Sequence, residues 1–182
     1  MAAVILVLPL QKAVDTWFPG VAFIAMLVWV ILEEAFKFGA AYIGGIKSVA
    51  DNEPVDPVVY MITAALGFAA LENTLFILDP LIESEVMHGV ITGNLRFIGA
   101  SLLHIVSSGI VGVAIAFSFY KSKKKRIINT LIGLTTAIAL HASFNLLILH
   151  LGSLGALIGF GLVWIGVVWL LLAFEKIKTI AR

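Results

Sequence analysis

Residues 20–45 read GVAFIAMLVWVILEEAFKFGAAYIGG, an apolar run that carries Glu33, Glu34 and Lys37 in its interior. The run exceeds the ~20 residues a helix needs to cross the hydrocarbon core of a bilayer. A charged side chain near the bilayer centre costs roughly 2.5–3.5 kcal/mol on insertion scales, so such a group marks a functional candidate. Further apolar runs follow at about 57–78, 93–119, 127–150 and 153–174. Three of them carry the same kind of residue: Glu72 with Asn73, His104, and His141 with Asn145. Six titratable groups on four helices represent a cost of order 10 kcal/mol if all were charged and unpaired. They must pair with one another, bind an ion or adopt neutral forms.

Composition agrees with this reading. Hydrophobic residues make up 61% of the 182 and charged residues 13%, with a mean hydropathy of +1.09, outside the range of ordinary globular domains. Residues 57–78 mix Val, Ile and Thr with Ala and Gly, yet in lipid only helices or closed barrels satisfy the backbone, and no alternating ten-residue pattern is present. The fold class expected is therefore all-α: a polytopic transmembrane helix bundle of about five full spans. It forms one domain, with residues 1–18 as a short apolar interfacial segment, 19–174 as the bundle and 175–182 as a basic tail. The start lacks a basic n-region and a cleavage site before Lys12, so it reads as an interfacial or partly inserted segment rather than a signal peptide. A net charge of +1 argues against nucleic acid as a partner. The absence of cysteine excludes disulfides, thiol nucleophiles and thiolate metal sites.

Orientation follows from Lys121-Ser122-Lys123-Lys124-Lys125-Arg126, five basic residues in six positions between the third and fourth runs. Lys176, Lys178 and Arg182 follow the fifth. The positive-inside rule puts the 121–126 loop and the C-terminus in the cytoplasm and makes 79–92, with Glu83 and Glu85, an external loop. Anionic membrane lipid is the natural partner of the basic loop. Gly155 and Gly159 form a small-xxx-small pair, which fits either a homodimer face or close packing within the chain.

On the first helix Glu33 and Lys37 are spaced to pair on one face, with Glu34 turned ~100° away. His104 is followed at helical spacing by Ser108 and Gly112, while His141 and Asn145 project one turn apart. His88 and His150 fall in a loop and at a helix end, as interfacial residues. At ~1.5 Å of rise per residue, Glu72, His104 and His141 lie ~9, ~16 and ~13 Å from the outer ends of their helices, and Glu33 ~20 Å. That rough agreement favours one shared site in the outer half to middle of the bilayer. Its residue types suit water activation by Glu33 or Glu34, with the histidines holding Zn²⁺ or polarising a carbonyl. The helical His-Glu-x-x-His signature is absent, so a metal site must be assembled across helices. Proton or cation transport draws on the same groups.

Glu33-Glu34-x-x-Lys37, Gly67-Phe68-Ala69-Ala70-Leu71-Glu72-Asn73, His104 with Gly112 eight residues on, and His141-x-x-x-Asn145 resemble, in order and spacing, the PrsW family of intramembrane proteases. The resemblance covers about residues 28–150. It implies an integral membrane endopeptidase related to the CAAX prenyl proteases and bacteriocin-processing enzymes. Glu33, Glu34 and Glu72 match the family's glutamates, and His104 and His141 its histidines, with Asn145 completing the catalytic set and Lys37 and Asn73 supporting it. The prenyl-protease branch resembles Glu-Glu-x-x-x-Arg, whereas Phe38 fills that Arg position here. The substrate implied is a membrane-anchored protein, such as an anti-sigma factor. The depth estimate places the cut near the external face, and the 79–92 loop with Gly89 and Gly93 is the expected mobile gate over it. A zinc site, if formed, would draw on His104, His141 and Glu72. A metal-free, glutamate-activated water is preferred, because Lys37 beside Glu33 would oppose a divalent cation.

Overall fold

The computed structural model describes the backbone of residues 2–18, 20–82 and 86–180, and the side chains of these apart from 2–3 and 79–97. The described residues are overwhelmingly helical and contain no strand: α1 (Ala2–Trp17), α2 (Ala22–Ala41), a π-helical turn at Tyr42–Ile46, α3 (Asp56–Ile82), α4 (Val86–Ala116) and α5 (Lys123–Ile177). Three of these helices, α3, α4 and α5, are long and apolar enough to cross a membrane. The expected count of five full spans is thus not reproduced, for two reasons visible in the sequence. Three charged residues, Glu33, Glu34 and Lys37, interrupt the apolar character of the 20-residue α2. The fourth and fifth runs form one element, α5, broken at a single residue, Gly152.

Gly152 has φ 54° and ψ −125°, a region that side-chain-bearing residues avoid. The two arms of α5 fold back on each other about this point. An added Cβ at Gly155 would lie 1.8 Å from the Leu147 carbonyl oxygen, and one at Gly159 would lie 2.8 Å from the Phe144 ring. Glycines 155 and 159 therefore pack against the chain's own first arm. The homodimer face that their spacing also allowed is not supported, because both residues are buried by that arm.

The 79–92 segment also departs from expectation. The backbone is helical through Asp79-Pro80 to Ile82 and again from Val86, so most of the 79–92 segment expected as an external loop and mobile gate is helical. Glu83 and Glu85 lie outside the described residues, as does the side chain of His88. An Asp-Pro pair is weak punctuation for a helix that packs along its neighbour, and α3 and α4 are the most extensively packed pair in the fold. They approach closely near Gly112, where a Cβ would meet the Val58 backbone at 2.6 Å.

At one end of the bundle Val58 of α3, Val113 and Ala116 of α4, and Leu170, Ala173 and Ile177 of α5 share a buried cluster. The Arg126 guanidinium donates to Asp51 at 2.7 Å and stacks over Phe119. The 47–55 and 117–126 segments and the end of α5 thus gather at the same end. Along the second arm of α5, Ile165, Val168, Trp169, Leu171 and Leu172 present an exposed apolar face, which lipid would cover. Because lipid tails are as apolar as leucine, association of these helices rests on close packing and on hydrogen bonds rather than on hydrophobic burial.

Gly155→Val should lower the stability of the detergent-purified protein by about 2 kcal/mol, the usual cost of overpacking, without altering its mass in solution. Thermal unfolding together with light scattering checks this. A loss of dimer mass with unchanged stability would contradict intramolecular packing.

Candidate functional site

α2, α3, α4 and the first arm of α5 each contribute side chains to one buried polar cluster. Glu34 is its hub. The Lys37 Nζ donates to Glu34 Oε1 at 2.6 Å, Ser107 Oγ donates to the same oxygen at 2.9 Å, and His141 Nδ1 lies 2.8 Å from it. Glu34, Lys37 and Ser107 are fully enclosed and His141 nearly so. The expected i,i+4 pair of Glu33 with Lys37 is replaced by an i,i+3 pair of Glu34 with Lys37. Both spacings bring side chains together on a helix, and here Glu33 is turned toward α1 and His141 instead.

Hydrogen-bonding capacity fixes how the rings are used. A carboxylate accepts only, so His141 Nδ1 carries the proton donated to Glu34, and in the neutral ring Nε2 keeps its lone pair. That nitrogen faces Glu33 Oε2 at 3.7 Å. An ammonium donates only, so His104 Nδ1, 3.0 Å from Lys37 Nζ, accepts, and Nε2–H donates to Glu72 Oε2 at 2.9 Å. The two imidazoles meet edge to face at 5.1 Å. Phe68 closes one wall, its ring 5.4 Å from His104 and 5.5 Å from Lys37 Nζ.

Glu33 is held separately. Gln11 of α1 donates its side-chain N–H to Glu33 Oε1 at 2.9 Å. Glu33, His104 and His141 offer one carboxylate oxygen and two ring nitrogens within 4.8 Å of one another, all three buried. One oxygen and two nitrogens are a ligand set that zinc and related divalent cations accept. The set fits a divalent cation once His104 gives up one of its two partners, Lys37 at Nδ1 or Glu72 at Nε2. The set differs from the one expected, since Glu33 takes the place of Glu72, which instead accepts from His104. Lys37 does not stand as a bare charge against a cation, because its ammonium is neutralised by Glu34.

Other expected residues lie nearby in lesser roles. Asn73 is buried and donates to Ser101 Oγ at 2.9 Å. Asn145 is half-buried one turn beyond His141 and joins no hydrogen bond among the described residues. His150 is exposed and caps the Leu146 carbonyl. Sequence reading passed over Gln11 and Ser107. Ser107 sits one helical turn after His104, a spacing that could have flagged it, whereas nothing local in α1 points Gln11 at the site.

Carboxylates and imidazoles in mutual contact, enclosed by apolar helices, make this cluster the candidate site. The sequence profile described as PrsW family intramembrane metalloprotease matches residues 1–173, and the chain belongs to that family of membrane proteases. Curated relatives include the protein named Protease PrsW of Shouchella clausii, 25% identical over 178 residues that cover 98% of this chain and 77% of the relative. Those of Halalkalibacterium halodurans and Geobacillus kaustophilus carry the same name. The first is 25% identical over 69% of this chain and 54% of the relative, and the second 31% identical over 56% and 41%. No solved structure matches the chain.

The hub predicts a thermodynamic signature. Glu34→Gln or Lys37→Met alone, each leaving a buried charge unpaired, should destabilise the protein by roughly 3 kcal/mol. The double variant should lose clearly less than the sum. Unfolding of all three variants in detergent checks this, and additive losses would contradict the pairing.

Proposed function

We propose that the chain hydrolyses a peptide bond of a membrane-anchored protein at the cluster formed by Glu33, Glu34, Glu72, His104 and His141. The observation that carries this reading is the meeting of Glu33 with both histidines, inside a chain whose family is one of intramembrane metalloproteases. Family membership favours hydrolysis over the proton or cation transport that the same residue types would otherwise permit.

Glu33, His104 and His141 would hold the divalent cation, zinc being the natural candidate for this set. When bound, such an ion supplies an acidified water and a polarised carbonyl. The protein's own groups do the rest. Glu34, locked by Lys37 and Ser107, orients His141 through Nδ1 and leaves Nε2 aimed at the site, the usual arrangement of a carboxylate behind a metal-binding imidazole. Glu72 has its side chain 17% exposed, more than the other members, and stands where water enters. It accepts the proton of the attacking water as the oxygen bonds to the carbonyl carbon. It then delivers that proton to the amide nitrogen as the C–N bond breaks.

The substrate is a single-span or tail-anchored protein, with an anti-sigma factor cut in a site-1-type step as the family-derived example. Its helix must unwind locally to expose a carbonyl at a bilayer-embedded site. The gathering of 47–55, 117–126 and the end of α5 at one end of the bundle supports a multi-pass arrangement with α2 and both arms of α5 as crossings. The basic loop and C-terminus are then cytoplasmic.

In proteoliposomes with a single-span substrate, the wild type should cut and Glu33→Gln, Glu72→Gln, His104→Ala and His141→Ala should each abolish cleavage while the protein still inserts. Ion flux without cleavage by the wild type would contradict the reading. Elemental analysis of the active protein should find a stoichiometric divalent metal, lost with activity on chelation; full activity without metal would contradict the cation. Single cysteines at Ser122 and Ser84, probed with an impermeant maleimide in intact cells, should label at 84 only, and labelling at 122 alone would falsify the orientation.

A further inference from the structure

Gln11 lies on α1, outside the helices that carry the rest of the cluster, yet two hydrogen bonds from α2 converge on it. Its side-chain N–H donates to Glu33 Oε1 at 2.9 Å, and its backbone carbonyl accepts from the Trp29 indole N–H at 3.4 Å. Trp29 and Glu33 are four residues apart and so share one face of α2. They grip one residue of α1 from two sides. α1 itself is seated by Val4 and Val7, buried against Phe68 with Phe36, Leu71 and Leu75 around them, and by buried Val14. Pro9, two residues before Gln11, removes a helical N–H, so this seating rather than α1's own hydrogen bonding sets where Gln11 lies.

We infer that Gln11 is a positioning residue for Glu33. A carboxylate on a helix retains rotational freedom about its last torsion, which is broad and roughly two-fold. Occupying Oε1 removes that freedom and leaves Oε2 directed at His141 Nε2, 3.7 Å away. The inference rests on the proposed hydrolytic role of Glu33 and adds a role for the N-terminal helix: it completes the site instead of merely lying beside it. The alternative, that α1 occludes the site and must leave for substrate to bind, predicts the opposite kinetic sign.

Gln11→Met keeps the length and bulk of the side chain and removes the donor. In proteoliposomes it should lower kcat by about tenfold, the scale of a small misplacement of a reacting group, with KM unchanged. Trp29→Phe, which frees the Gln11 carbonyl while keeping an aromatic ring, should lower kcat in the same direction by a smaller factor. Unfolding of Gln11→Met, Glu33→Gln and the double variant in chelator-treated protein supplies a readout that needs no substrate. The two single shifts in Tm should exceed the double-variant shift when summed. Unchanged kcat, a rise in kcat/KM, or additive Tm shifts would each overturn the inference. An inactive wild type would instead overturn the hydrolytic reading, and the unfolding cycle would still decide whether Gln11 holds Glu33.

Discussion

The structure depends on how one carboxylate oxygen is satisfied. Glu34 Oε1 receives Lys37, Ser107 and His141, and these three donors come from three different helices, α2, α4 and α5. In a bilayer, where apolar contact gives little net association, a charged acceptor that gathers helices around itself fixes their register. The interaction also neutralises Lys37, which would otherwise be one of the most costly groups in the interior. The candidate site and the packing therefore share a single centre.

From that centre the two glutamates of the Glu33-Glu34 pair separate in role, although the sequence presents them as equivalent neighbours. Glu34 is enclosed and its accepting oxygen is saturated, which suits it to orient His141. Glu33 has one oxygen on Gln11 and the other toward His141, the arrangement on which its proposed role in holding a cation rests. Glu72 is less buried and accepts from His104. Three carboxylates of identical intrinsic chemistry are thus divided by their partners, as buried acid–base groups generally are.

Much of this was legible in the sequence. Ionisable residues inside apolar runs announced membrane helices and a shared cluster, because the energetic argument needs only residue type and length. The helix-forming stretches containing Glu72, His104 and His141 follow from the same reading. Pairings were less legible: Lys37 can reach i−3 or i−4 along a helix with similar ease, and only the packing of α4 and α5 selects Glu34. The end of α3 escaped because Asp79-Pro80 resembles a stop signal locally while tertiary packing carries the helix on to Ile82. Gly155 and Gly159 carried an ambiguity that spacing cannot resolve, since a small-residue stripe looks alike whether it meets its own chain or a copy. Gln11 was invisible, because a half-buried glutamine on a short apolar helix acquires its partner only from the fold.

The central claim, that Glu34 and Lys37 dictate the two imidazoles, is tested most directly by nitrogen NMR of ¹⁵N-histidine-labelled protein after chelation. With four histidines in the chain, assignment by single substitution is practicable. The account predicts His141 protonated at Nδ1 with a free Nε2, and His104 protonated at Nε2 with an accepting Nδ1. A His141 ring lacking the Nδ1 proton, or a His104 ring carrying one there, would contradict it.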